Sequence, residues 1–125
     1  MVIDTSALLA VFFNEPKGSS IAKILKDHAT ELRMSTVNLT ETLILIQDRQ
    51  PQLFEGMRTM LLTSSIRFVP PDKSHAEIAA DARMRLPLNL GDCFAYALAK
   101  SENCRILTLD DGFRETDVPL VKIPI

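Results

Sequence analysis

Met1-Val2-Ile3-Asp4-Thr5-Ser6-Ala7-Leu8-Leu9 is the stretch whose reading decides the fold. The apolar, β-branched pair Val2-Ile3 suits a buried strand, and Asp4 ends it. Thr5 and Ser6 follow, and either hydroxyl can cap a helix or hydrogen-bond a carboxylate or water. Leu8, Leu9 and Phe12 then fall at helical spacing over Ser6 to Phe13. A strand passing into a helix through an acidic residue opens a β-α unit.

The same rhythm repeats downstream. Leu32 to Ser35, Arg67 to Val69, Arg105 to Thr108 and Leu120 to Ile123 are the other strand candidates. Between them the periodicity predicts helices over Ser19 to His28, Thr36 to Gln50, Pro51 to about Thr63, Asp72 to Arg85 and Gly91 to Glu102. Pro51 closes one helix and suits the first turn of the next. Short β-runs alternating with longer helices predict an α/β fold, a parallel sheet covered by helices. Pro70-Pro71 and Pro87-Leu88-Asn89 interrupt the pattern without shifting composition, so they are loops within one expected domain, residues 1–125.

At 125 residues and 46% hydrophobic, the chain can bury a full core without cross-links, and its 24% charged usage is that of an ordinary globular protein. Cys93 and Cys104, with no secretory signal before them, argue against a disulfide framework and read as buried thiols in a reducing cytoplasm. No apolar run approaches the ~18 residues of a membrane span. The net charge of -2 and the scattered basic residues do not announce a nucleic-acid partner, so any such reading must come from a local site. His28 and His75 lack a matching Cys or His at metal-ligand spacing and read as surface residues, which argues against zinc. No serine sits in a nucleophile elbow and no glycine-rich loop follows a strand.

Four acids carry the chemistry. Asp4 lies at the carboxyl end of a strand, where open parallel sheets bind ligands, although a cap on the following helix is an equal reading. Glu41 is ringed by apolar residues on its helix, and a carboxylate there is costly unless paired or metal-bound; the alternative is a solvent-facing stripe of Asn38, Glu41 and Thr42. Asn38, one turn earlier on the same face, is placed to orient Glu41. Asp92 sits in the first turn of an apolar helix, where the helix dipole favours an anion with or without a function. Asp110 and Asp111 follow Ile106-Leu107-Thr108, with Gly112 permitting a sharp turn. Adjacent residues point to different sides, so one is expected to face the cluster, and Asp110 is our choice. Carboxylates gathered at neutral pH repel one another until protons or a hard cation neutralise them, and oxygen-only ligation points to Mg²⁺ or Mn²⁺.

These residues have a familiar arrangement. Met1 to Leu9, Ser35 to Glu41, Leu90-Gly91-Asp92-Cys93-Phe94-Ala95-Tyr96-Ala97-Leu98-Ala99, Leu107 to Phe113, and Thr116-Asp117 resemble PIN-domain proteins in order and spacing, and especially the VapC-type toxins of type II toxin-antitoxin systems. The resemblance spans almost the whole chain. It implies a three-layer fold around a five-stranded parallel sheet, with Asp4, Glu41, Asp92 and Asp110 as the acidic catalytic and metal-site residues. Thr5, Ser6, Asn38 and Asp111 stand beside them as supporting candidates. It also implies a homodimer, an RNA substrate, and inhibition by a small antitoxin that inserts a peptide, often an arginine, into the acidic cleft.

Other readings compete. A receiver-like signalling module shares the size, the parallel sheet, an acidic Mg²⁺ site and a lysine on the last strand, here Lys122, but wants an acidic pair after the first strand. A haloacid-dehalogenase-like phosphatase wants a second aspartate where Ser6 stands. A PIN-domain nuclease that processes RNA without being a toxin is the nearer rival.

Overall fold

Val2 and Ile3 form β1 (Val2–Ile3). Successive side chains leave opposite faces of a strand, so Val2 packs into one apolar cluster and Ile3 into another. The computed structural model describes residues 1–124. After β1 come α1 (Thr5–Phe12), α2 (Gly18–Asp27), β2 (Arg33–Ser35), α3 (Thr36–Arg49), a 3-10 turn (Pro51–Leu53), α4 (Phe54–Leu62) and β3 (Arg67–Val69). The chain continues through α5 (Lys73–Arg85), α6 (Leu90–Glu102), β4 (Ile106–Leu107) and a second 3-10 segment (Asp111–Glu115).

The strands pair in parallel in the order β3-β2-β1-β4. On one face Val2 and Ile106 pack with Ala79 and Ala82 of α5 and Tyr96 and Leu98 of α6. On the other, Ile3, Met34 and Leu107 pack with Ala7, Leu8 and Ala10 of α1, Ile21 of α2 and Leu61 of α4. Helices therefore cover both faces, and the arrangement is α/β in three layers. The approach of α2 to α1 is close: a Cβ on Gly18 would lie 2.4 Å from the Ala10 carbonyl oxygen, so only glycine fits there.

The expected fifth strand over Leu120 to Ile123 does not form. Leu120 meets Ile106 through a single isolated bridge, with the Ile106 amide donating to the Pro119 carbonyl and the Val121 amide to the Ile106 carbonyl. β4 itself ends at Leu107, beyond which the Leu109 and Asp110 amides turn to the Ser6 and Thr108 hydroxyls; no second pair follows the bridge, and the described sheet has four strands rather than five. The expected helix from Pro51 is also split, its first turn being 3-10.

Two side chains correct the sequence reading. His75 is buried rather than on the surface, because it shares the inward face of α5 with Ile78, Ala79 and Ala82 at helical spacing. Cys104 is only half-buried, just after α6, whereas Cys93 is buried. No described helix is long and apolar enough to cross a membrane.

Candidate functional site

From β1 the sheet grows through β2 to β3 on one side and directly to β4 on the other, so the strand order reverses between β1 and β4. A crevice opens at the carboxyl ends of strands at such a point. Asp4 leaves β1 into it, held by its amide N–H donating to the Leu107 carbonyl at 3.0 Å. It occupies the N-cap position of α1, but its carboxylate makes no capping bond, so the simple helix-cap reading fails. Instead Oδ2 accepts from the Ser6 hydroxyl at 2.7 Å and from the Thr108 hydroxyl at 2.8 Å. Oδ1 is buried with no hydrogen-bond partner. Burial pushes the Asp4 carboxyl above its usual pKa, against the opposing pull of the two hydroxyls.

Asp92 enters from the first turn of α6. The cap of that helix is Asn89, whose side chain accepts from the Asp92 N–H at 2.9 Å, leaving the Asp92 carboxylate free of capping duty. Its pKa is raised to about 8, first by burial, then by the negative charge of Asp4, then by the adjoining Asp110 carboxyl. The three acids thus share one field.

Asp110 and Asp111 part as their neighbouring backbone positions require. Asp110 caps the second 3-10 segment, its Oδ1 accepting from the Gly112 N–H at 2.8 Å, while its own N–H donates to Thr108 Oγ1 at 2.9 Å. Asp111 turns outward, its side chain 84% exposed and 3.3 Å from Arg114. Asp110 belongs to the cluster and Asp111 does not.

Glu41 reaches the same region from the second turn of α3. Its Oε1 accepts from Thr5 Oγ1 at 3.0 Å and from Asn38 Nδ2 at 3.0 Å. Asn38 Nδ2 also donates to the Gly91 carbonyl at 3.0 Å, tying α3 to the start of α6. Asn38 and Thr42 are fully buried, so the polar stripe of α3 faces inward rather than toward solvent. A Cβ on Gly91 would lie 2.1 Å from Glu41 Oε2, so the glycine lets this carboxylate lie over the beginning of α6, one residue from Asp92.

The sequence reading missed Thr108. It is the last polar residue of the β4 run before Asp110, and its hydroxyl holds Asp4 while accepting the Asp110 amide. Ser6 completes the lattice, approaching Thr108 Oγ1 at 3.2 Å and accepting from the Leu109 N–H at 2.9 Å.

These residues fit a hydrated divalent cation. Asp4 is gripped through one oxygen, and the other is buried and unpartnered, in a field that Asp92 and Asp110 share. Among the described residues no three His, Cys, Asp or Glu side chains lie close enough to cage an ion by themselves. Mg²⁺ retains several waters and commonly takes only one or two carboxylates, so the set suits it better than an ion that demands an all-protein cage.

A family model described as PIN domain matches residues 1–119. The Ribonuclease VapC of Mycolicibacterium smegmatis is 37% identical over 131 residues, covering 97% of this chain and 99% of that protein. The chain belongs to the PIN-domain family, among the VapC ribonuclease toxins. Its fold is shared with VapC20 of Mycobacterium tuberculosis, a Sarcin-Ricin loop cleaving toxin, at a TM-score of 0.83 and 16% identity, covering 97% of this chain and 98% of that one. A toxin-antitoxin complex from Klebsiella pneumoniae superposes at a TM-score of 0.79 and 16% identity, covering 96% of this chain and 95% of the other. Within a PIN ribonuclease the receiver-like and dehalogenase-like readings lose their basis.

Proposed function

We propose that this PIN domain acts as a single catalytic unit, residues 1–125, that hydrolyses RNA phosphodiester bonds with Mg²⁺ or Mn²⁺ bound among Asp4, Glu41, Asp92 and Asp110. The observation that carries the reading is the Asp4 carboxylate: Oδ2 is saturated by two hydroxyls and Oδ1 is buried without a partner, beside Asp92 with its pKa raised to about 8. An anion in that position is unfavourable until a cation arrives. Membership among the VapC ribonucleases supports the same assignment.

When bound, the cation supplies an activated water and positive charge against the phosphoryl oxygens. Ser6 and Thr108 fix the Asp4 carboxylate so that Oδ1 is the oxygen offered. Asp92 and Asp110 set the charge of the opposite wall. Thr5 and Asn38 hold Glu41 by one oxygen and leave Oε2 over Gly91. Asp111, outside the cluster, has no part in this set.

The proposed partners are an RNA substrate, a second copy of the chain, and a small antitoxin protein. The antitoxin is supported by the fold shared with a toxin-antitoxin complex. An arginine presented by such a partner would meet the uncompensated acids and occupy the place of the cation.

Single Asp4→Asn and Asp92→Asn substitutions are expected to lower Mg²⁺-dependent RNA cleavage by at least about two orders of magnitude while far-UV circular dichroism stays unchanged. Asp111→Asn is expected to leave kcat within about twofold. Full cleavage by the Asp4→Asn protein would end the proposal.

A further inference from the structure

A cavity of about 260 Å³ opens directly beside the acids, and its lining carries an excess of positive charge. Thr108 and Asp110 form the edge it shares with the acidic cluster; Lys17, Arg114 and Lys122 come to it from three separate segments. Each cation has a structural reason to be there. Lys17 immediately precedes Gly18, whose close approach to Ala10 seats the start of α2 against α1. Arg114 lies in the 3-10 segment that Asp110 caps. Lys122 follows the Val121 amide, which is anchored to the Ile106 carbonyl at 2.8 Å.

Among the described residues Lys17 and Lys122 have no ion-pair partner, and Arg114 meets only the exposed Asp111. Leu109 and Leu120 add an apolar wall to the same cavity. Three cations against Asp110 and Asp111, with apolar side chains in the same lining, match the chemistry of one nucleotide: an anionic phosphate with a ribose or base face beside it.

We infer that this cavity is a nucleotide subsite, in which Lys17, Lys122 and Arg114 hold an RNA phosphate next to the one cleaved at the acids. The inference rests on the nuclease reading above and deepens it. It accounts for substrate capture by a chain whose net charge is -2, because the attraction is local rather than global. The phosphate at the acids needs a cation to be tolerated, whereas its neighbour is held by the protein's own charges. Lys17, Lys122 and Arg114 are positioning residues; they keep the strand in register and take no part in bond cleavage.

The test compares Lys17→Ala/Lys122→Ala with Lys23→Ala/Lys26→Ala, which removes the same charge from α2, outside the cavity lining. Steady-state cleavage of a short fluorogenic RNA in Mg²⁺ separates KM from kcat, and fluorescence anisotropy of a fluorescein-labelled single-stranded RNA in chelator reads binding alone. The first variant is expected to raise KM and Kd by about tenfold with kcat unchanged, and to flatten the dependence of log K on log salt by about 0.7 for each phosphate no longer neutralised. The second is expected to stay within about twofold of the unsubstituted protein. Equal weakening by both variants, no change in either, or a loss confined to kcat overturns the subsite while leaving the nuclease standing. Displacement of the RNA by polyglutamate of equal charge as readily as by unlabelled RNA also overturns it, in favour of an acidic peptide. An unsubstituted protein that neither binds nor cleaves RNA overturns the nuclease reading and the subsite together.

Discussion

At the amino ends of the strands Glu102 lies 2.8 Å from Arg33 and 2.6 Å from Arg67, whereas at the carboxyl ends Asp4, Asp92 and Asp110 face one another. None of these three acids has an ion-pair partner among the described residues. The same residue class is used at both ends of one sheet to opposite effect. Glu102 ends α6, where a negative charge opposes the helix dipole, and two guanidinium groups offset it. Asp92 begins the same helix, where the dipole favours it, yet burial and its acidic neighbours hold its carboxyl at about 8. The amino end is closed electrostatically and holds β2, β3 and α6 together. The carboxyl end is left open, and that imbalance is what a cation and a phosphodiester would use.

The largest expected effect that sharpens this contrast is at Thr108. Replacing it by valine keeps the shape but removes the hydroxyl that holds Asp4 and receives the Asp110 amide. Mg²⁺-dependent cleavage is expected to fall by about 10–100-fold, with isothermal titration showing weaker Mg²⁺ binding. Unchanged metal affinity in Thr108→Val would show that Asp4 is positioned without it.

Next in size is a pH effect on the metal-free protein. The folded pKa of Asp92, about 8, lies above the ordinary value of 3.8, so the folded state holds this proton more tightly than the unfolded chain. The resulting stabilisation is fully present below 3.8 and is lost as pH rises toward 8. Urea melts in chelator are therefore expected to show stability declining across this interval relative to Asp92→Asn, in which the decline is reduced. Parallel profiles for the two proteins would remove Asp92 from the repelling set.

The smallest effect is expected at the opposite end. Glu102→Gln leaves Arg33 and Arg67 without their shared anion, and the pair geometry is partly exposed, so the cost is about 1 kcal/mol in chemical denaturation. Cleavage by the folded protein is expected to be unaffected. A drop in kcat there would break the division between a structural end and a functional one.

Much of the architecture was legible because it is written in short-range periodicity. Val2-Ile3, Arg67 to Val69 and the helix beginning at Thr36 follow from which neighbours are apolar at spacings of two or of three to four. The acids at Asp4, Glu41, Asp92 and Asp110 were legible as candidates for the same reason, each lying at a strand end or on a helix of marked pattern. What each does was not legible there. Whether Asp92 caps its helix depends on Asn89 taking that role, and whether the stripe of Asn38 and Thr42 faces water depends on α6 packing against it. Thr108 gave no signal because the group it serves is 104 residues away. His75 was misplaced because the charges around it in the chain lie on the other side of α5.

The sequence by itself therefore determined the β-α order, the two-sided burial of the strands and the short list of acids, since these depend on contacts between residues a few positions apart. Only the tertiary structure decided that Leu120 meets β4 through a single bridge rather than within a fifth strand, that Thr108 holds Asp4, and that Asp92 shares the field of Asp4 and Asp110. Those outcomes are set by hydrogen bonds and charge interactions across the sheet, and distance along the chain carries no record of them.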